Sequence, residues 1–316
     1  IQKQTSLCYK KLSMSKKNLN VNLKNGFKNY KDLSNIFLKF KGKLDFLKKK
    51  KFLVAVSGGP DSLALTALSK AYTFTKNTKF YYLLVDHGIR KNSYKEAQRV
   101  KKLLKKENIS LKICVNKRKI LKNIQAQARN LRYDILSKYC EKNKIKIILT
   151  AHNLEDQVET FFIRLSRGSG LKGLSSMSSL RKINNSVSLY RPLLDIKKKL
   201  LVKISKNIFG DYIKDPSNKS KKYLRAKVRN LKRPLEKSGI KYEQIFKSIQ
   251  NLSLSRATLE GYLNRVFKKL IFKTNKEISI EFKKFNSLNK DIKIAVINES
   301  VKQLKHNYYD LKTKKV

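Results

Sequence analysis

The chain has 316 residues, 41% of them hydrophobic, and no apolar run approaches the roughly 18 residues of a membrane span, so a chain disordered throughout and a helical membrane span are both excluded. Lys and Arg number 75 against 22 Asp and Glu, a formal charge of +53, which predicts a polyanionic partner. Cys8, Cys114 and Cys140 are odd in number, widely spaced and without a C-x-x-C pair, so neither a disulfide framework nor a zinc or iron–sulfur site is supported, and a reducing compartment fits.

Residues 1–49 are rich in Lys and Ser and nearly free of acid. They lack the apolar core of a secretory signal and are expected to form a basic extension, partly disordered or helical, on a protein of the cytoplasm or an organellar matrix. Phe52–Val56 reads as a strand that runs into Ser57-Gly58-Gly59-Pro60-Asp61-Ser62 and then a helix over Asp61–Tyr72. Two glycines allow positive φ and close approach of backbone to ligand, so the turn's N–H groups can converge on anionic oxygens, with the hydroxyls of Ser57 and Ser62 beside them. No Lys stands where a Walker A loop requires one, so a pyrophosphate grip is expected rather than a γ-phosphate one. An ordinary turn capped by Asp61 is the structural alternative.

Further strands are predicted at Phe80–Val85, Leu111–Val115 and Ile145–Thr150, and helices at Ser93–Glu107, Gln125–Lys142 and from near Asn153. This alternation predicts a Rossmann-like α/β fold, an open parallel sheet with helices on both faces. Ligands of such sheets lie beyond the carboxyl ends of the strands, where three polar clusters follow strands here: Ser57–Ser62, Asp86–Arg90 and Ala151–Thr160. Arg167–Gly173 reads as a flexible loop, and Ser186–Asp195 as a short strand ending at Arg191-Pro192. Helices are predicted over Ile196–Asn207 and, after a turn at Asp215-Pro216, over Lys221–Leu235. Past Gly239, helical patterns at Glu243–Ile271 and Lys290–Leu304 flank a strand at Ile278–Phe282. The expected division is a basic extension (1–49), a catalytic domain (50–235) and a small, mostly helical C-terminal domain (236–316).

Asp86 and His87 follow the second strand, where the adenine or ribose of a nucleotide would lie; a helix cap and a packed core histidine are the structural alternatives. On the helix from Asn153, Glu155, Asp156 and Glu159 crowd one end of one face. Such repulsion calls for a cation, either Mg²⁺ brought with a nucleotide or a cationic substrate, although a helix N-terminus by itself would suit one or two of the acids. Arg129 and Arg132 share a helical face and could meet phosphates or these acids. Arg225, Arg229 and Arg233, at i, i+4 and i+8, make a cationic stripe suited to an RNA backbone. Twelve of the 14 arginines fall between Arg90 and Arg233, which marks that stretch as the working surface.

The words SGGPDS (57–62), DHGIR (86–90), ARNLRY (128–133), TAHNLEDQVET (150–160), RGSGLKGL (167–174), RPLL (191–194) and DPSN (215–218) together resemble the PP-loop ATP pyrophosphatase superfamily and, within it, the tRNA(Ile)-lysidine synthetase family. The resemblance covers about residues 50–235, and Glu155 departs from it, since two adjacent Asp are usual there. It implies ATP and Mg²⁺ as cofactors and a CAU-anticodon tRNA(Ile) and L-lysine as partners. The implied reaction adenylates the wobble cytidine at its C2 oxygen with release of pyrophosphate, after which lysine displaces AMP. The implied catalytic residues are Asp61, Asp156, Glu159 and Arg191, with Asp61 on Mg²⁺. Ser57, Gly58, Gly59, Pro60, Asp61, Ser62, Asp86 and His87 would hold ATP, and Glu155, Asp156 and Glu159 lysine. The five arginines Arg129, Arg132, Arg225, Arg229 and Arg233 would contact the RNA. No membrane partner is expected, and a homodimer is left open. Three rivals remain: another PP-loop tRNA-modifying enzyme such as a thiolase, which would use catalytic cysteines, a small-molecule synthetase of the superfamily, and a non-catalytic RNA-binding protein on the same scaffold.

Overall fold

The computed structural model describes residues 27, 31–89, 92–116, 124–213, 224–274 and 277–304. Residues 1–26 of the expected basic extension, Arg90, the turn at Asp215-Pro216 and the first residues of the helix expected from Lys221 lie outside the described residues.

Helix α1 (Lys31–Phe46) precedes β1 (Lys51–Val56), α2 (Pro60–Thr73), β2 (Lys79–Asp86), α3 (Ser93–Lys106), β3 (Leu111–Val115), α4 (Ile124–Lys142) and β4 (Ile147–Leu149). The alternation predicted from the sequence is the one observed. β1 pairs in parallel with β2, Phe52 opposite Phe80, and with β4, Leu53 opposite Ile148. Beyond β4 come β6 (Ser188–Tyr190) and β5 (Leu180–Lys182), giving a six-stranded sheet in the order β3-β2-β1-β4-β6-β5 in which only β5 runs antiparallel.

Phe52, Leu53 and Val54 are fully buried because both faces of the central strand are covered. Successive side chains point to opposite faces. Phe52, Val54 and Val56 pack with α1, α2, α3 and α7 (Lys198–Phe209), whereas Leu53 packs with Leu83, Leu189 and Leu136 and Cys140 of α4. In α1, Leu33, Ile36, Phe37, Phe40 and Leu44 recur at helical spacing and are buried, so this part of the expected extension belongs to the main core.

Two elements of the α/β part escaped the sequence reading, as did the strand Ile271–Lys273 and the helix Phe282–Asn286 further on. β5 is exposed at all three residues, so no apolar alternation announces it. A single turn, α6 (Leu171–Leu174), stands within the loop read as flexible. The helix expected over Lys221–Leu235 is two, α8 (Leu224–Asn230) and α9 (Lys232–Lys237). Pro234 has no N–H to offer the Asn230 carbonyl, and the helix breaks between them.

The C-terminal part comprises α10 (Tyr242–Leu270), a hairpin of β7 (Ile271–Lys273) and β8 (Ile278–Ile280), α11 (Phe282–Asn286) and α12 (Lys290–Leu304). Tyr242, Ile245 and Ile249 share a core with Leu154 and Val158 of α5 (Leu154–Leu165). The boundary expected at 236 therefore crosses packed side chains. Among the described residues, no helix is long and apolar enough to cross a membrane.

Candidate active site

Strand order reverses between β1 and β4, so the chain leaves their carboxyl ends in opposite directions and opens a crevice at the edge of the sheet. The turn after β1 and the polar cluster after β4 both emerge there.

In the first turn only Gly58 takes a positive φ, +81°. A β-carbon there would stand 2.6 Å from Val100 Cγ2 and 3.2 Å from Ile213 Cγ1, so the position admits glycine alone. Gly59 differs from the expectation: it is extended (φ −73°, ψ 161°) and forms the N-cap of α2, with Pro60 following in the first turn. Ser62 Oγ donates to the Gly59 carbonyl (2.9 Å) and accepts from the Ser57 amide (3.2 Å) and Ser57 Oγ (3.1 Å), which ties the turn shut. No side chain caps α2, so its first-turn N–H groups are left for an anion.

Asp61 does not cap that helix. Its Oδ2 lies 3.8 Å from Lys198 Nζ, and Oδ1 is buried without a hydrogen-bond partner among the described residues. Burial pushes the carboxyl up to about 6, Lys198 opposes that shift, and the charges of Asp156 and Glu155 add to it. An unpaired carboxylate oxygen beside an anion grip suits a hard cation such as Mg²⁺, which takes one or two carboxylates and completes its shell with phosphate oxygens and water. Among the described residues no group of three His, Cys, Asp or Glu could hold a metal by itself.

At the end of β2, Asp86 Oδ1 accepts from the Gly88 amide (3.0 Å), and the Asp86 carbonyl accepts from the Asn116 amide (2.7 Å). Burial, then the nearby Arg132 guanidinium, push the His87 imidazole down to about 4. The neutral ring accepts from Arg132 Nε at 3.3 Å, and its buried Nδ1 has no partner among the described residues. Arg129 is exposed and stands over the Tyr133 ring, 5.5 Å from its centroid. Neither arginine pairs with the acids of the third cluster among the described residues.

Asn153 caps α5, accepting from the Asp156 amide (3.0 Å), while Asp156 Oδ2 accepts from the Asn153 amide (3.1 Å). Glu155 caps a second helix, since its Oε2 accepts from the Lys198 amide at the start of α7 (2.8 Å), and its Oε1 accepts from Lys232 Nζ (3.1 Å). Glu159 lies 2.5 Å from Arg229 Nε through Oε1 and 3.2 Å from Arg225 Nε through Oε2. Burial pushes its carboxyl up, against the opposing effect of Arg229. The repulsion read from the sequence is thus met largely by the protein's own cations. Arg225 and Arg229, expected to face an RNA backbone, turn onto Glu159, although Arg225 keeps 41% of its side chain exposed; Arg233 remains exposed. Of the three acid side chains, Asp156 is the most accessible, at 18% against 12% for Glu155 and 4% for Glu159.

Arg191, at the end of β6, is 4% exposed and donates through Nη1 to the Ser178 carbonyl (2.7 Å). Its Nε has no partner and no carboxylate pairs with it among the described residues, and burial pushes the guanidinium down to about 10. A desolvated cation without a counter-charge is suited to meet an anion. Nearby, His152 Nδ1 lies 3.1 Å from Thr150 Oγ1, and burial outweighs Asp156 to push the ring down to about 4.

Lys198, Lys232 and Tyr242 had no part in the sequence reading. The two lysines are indistinguishable in sequence from dozens of others, and Tyr242 arrives from α10, far along the chain. Burial, then Glu159 and Glu155, push its hydroxyl up to about 12. Cys114 and Cys140 lie in or against the core on the α4 face of the sheet, and burial pushes the Cys140 thiol up to about 12.

The chain matches the PP-loop domain family over residues 28–235. It is similar to the tRNA(Ile)-lysidine synthase of Orientia tsutsugamushi (strain Boryong), 42% identical over 189 residues that make up 59% of this chain and 42% of that one. It is also similar to the tRNA(Ile)-lysidine synthase of Wolbachia pipientis wMel, 33% identical over 262 residues, 81% of this chain and 60% of that one. The chain thus spans between two-fifths and three-fifths of the length of these curated relatives. Among solved structures it resembles the U34-tRNA thiolase NcsA from Methanococcus maripaludis, with a TM-score of 0.59 and 23% identity over 70% of this chain and 78% of that one. At that identity the likeness is one of fold.

Proposed function

The chain belongs to the PP-loop family, and from that premise we propose that it uses ATP to join L-lysine to C2 of the wobble cytidine of a CAU-anticodon tRNA(Ile), releasing pyrophosphate and AMP. The observation that carries this reading is the meeting, at one switch point, of an uncapped anion grip, the free Oδ1 of Asp61 and the acids of α5. The names of the relatives supply the substrate class.

In the first step the cytidine C2 oxygen attacks the α-phosphorus of ATP, and the bond to the bridging oxygen of the β-phosphate breaks. The first-turn N–H groups of α2 bind the departing pyrophosphate in the turn that the Ser57 and Ser62 hydroxyls hold shut, and Arg191 meets the charge growing on the α-phosphate. Asp61 would hold Mg²⁺, which when bound neutralises phosphate oxygens. Asp86 and His87 line the position of the nucleoside. In the second step the ε-nitrogen of lysine attacks C2 and AMP leaves. The ammonium must first give up a proton, and Asp156, the most accessible acid, accepts it, while Glu159 orients the amine.

A thiolase reading is disfavoured by Cys114 and Cys140, which are buried or partly buried and whose thiols burial pushes up rather than down. A purely RNA-binding scaffold would not need a buried Asp61 Oδ1 without a hydrogen bond or a buried Arg191 without a counter-ion. The test is incubation with ATP, Mg²⁺, labelled lysine and a CAU-anticodon transcript. Label should enter the RNA only when the wobble base is cytidine, and Asp156→Ala should abolish the transfer while the protein stays folded. Label without ATP, or with a wobble uridine, refutes the reading.

A further inference from the structure

Helices α5 and α8 lie side by side, and one edge of their contact is charged: Arg229 pairs with Glu159, and Arg225 Nη2 donates to Thr160 Oγ1 at 3.3 Å. One turn away the same helices leave a groove of about 330 Å³ between Phe162 and Leu165 on α5 and Leu224 and Val228 on α8 with Leu231 just past its end, and Lys227 beside them. Leu165, Leu224 and Leu231 are 47%, 42% and 45% exposed. On a chain of charge +53, three exposed leucines converging on one groove are a patch rather than scatter. Leu224 and Val228 of α8 and Leu231, the helical residue that joins it to α9, fall at i, i+4 and i+7, a stripe lying alongside Arg225 and Arg229.

We infer that this groove receives an unpaired nucleobase of the RNA, one flanking the reacting cytidine; the inference rests on RNA being the substrate. Proteins that read single-stranded loops stack splayed bases on aromatic side chains, the part Phe162 can take here, while cations hold the adjoining phosphates. This groove joins both features. Its walls are hydrocarbon, its neighbours are the exposed Lys227 and the part-exposed Arg225, and the seam beside it leads to the acids of the proposed site. A second copy of the chain would also cover hydrocarbon, but bringing two chains of this charge together at their cations is opposed by repulsion.

The test titrates an RNA hairpin carrying the CAU loop, intact or abasic at each position flanking the triplet, against the full chain by fluorescence anisotropy. The proteins compared are wild type, Leu231→Glu and Leu231→Met. Removing one flanking base should weaken wild-type binding roughly tenfold, as expected for one lost stacking contact. Leu231→Glu should bind the intact hairpin roughly tenfold more weakly and no longer sense the abasic site, and Leu231→Met should bind as wild type does. An equal abasic penalty in Leu231→Glu and wild type overturns the proposal, as does indifference to every flanking base. So does a Leu231→Glu protein that binds RNA normally and changes only its oligomeric state. The readout is binding, so the abasic coupling without lysine transfer would sink the enzymatic reading and leave the groove standing, whereas a wild type that ignores the hairpin overturns both.

Discussion

Glu159 is 3% exposed, and it remains an acid in this fold because two guanidiniums stand against it. Removing one partner of a buried pair costs more than forming the pair returns, because the remaining charge is stranded. Arg229→Ala should therefore lower the unfolding free energy by about 2 kcal/mol, with Arg225 limiting the loss, and adding Glu159→Gln should restore much of it; urea denaturation of the single and double variants checks both. His87 carries the clearest pH signature. Its folded pKa of about 4 lies below the ordinary 6.5, so the unfolded chain takes up the proton first as pH falls. The contribution of a neutral His87 is complete above pH 6.5 and is lost as pH drops towards 4. Nuclear magnetic resonance titration should show a histidine with a midpoint near 4 that moves upward in Arg132→Ala, since the nearby guanidinium adds to the effect of burial.

At the scale of elements, the two glycines of the turn after β1 make opposite predictions. Gly58→Ala places a methyl 2.6 Å from Val100 Cγ2 in a left-handed conformation, so it should cost 2 kcal/mol or more, about the sum of the strain and overpacking. Gly59→Ala meets nothing nearer than Ser57 Oγ at 3.7 Å and has an ordinary φ, so it should melt within a few degrees of wild type. Thermal unfolding of the two variants separates them, and equal melting temperatures would contradict the assigned geometry. The sequence could not make this distinction, because SGG announces a tight turn without saying which glycine turns it. It read the elements of the sheet's interior well, where apolar runs such as Phe52–Val56 are covered on both faces. It missed β5, whose three residues are exposed and held by backbone pairing to β6, a bond that leaves no mark on side-chain pattern.

Over the whole molecule, α10 joins the C-terminal part to the sheet through Tyr242, Ile245 and Ile249. A fragment ending at residue 236 would bare Leu154 and Val158, which are now 4% and 0% exposed, on the helix that carries the acids. It should melt below the full chain and bind a hydrophobic dye, and a fragment as stable as the full chain would show that the shared core contributes nothing. What the sequence by itself determined is local: strand, turn and helix around Ser57–Ser62, with the uncapped helix N-terminus that follows, because those conformations depend on residues within one turn of each other. Which charges are free was decided only by the tertiary structure. Glu155 finds the Lys198 amide 43 residues away and Lys232 77 residues away, and Glu159 finds Arg229 at a distance of 70. Ion pairing depends on separation in space, and packing α8 against α5 turned Arg225 and Arg229 of an apparent RNA-binding stripe onto Glu159, while among the described residues Arg191 was left without a carboxylate partner.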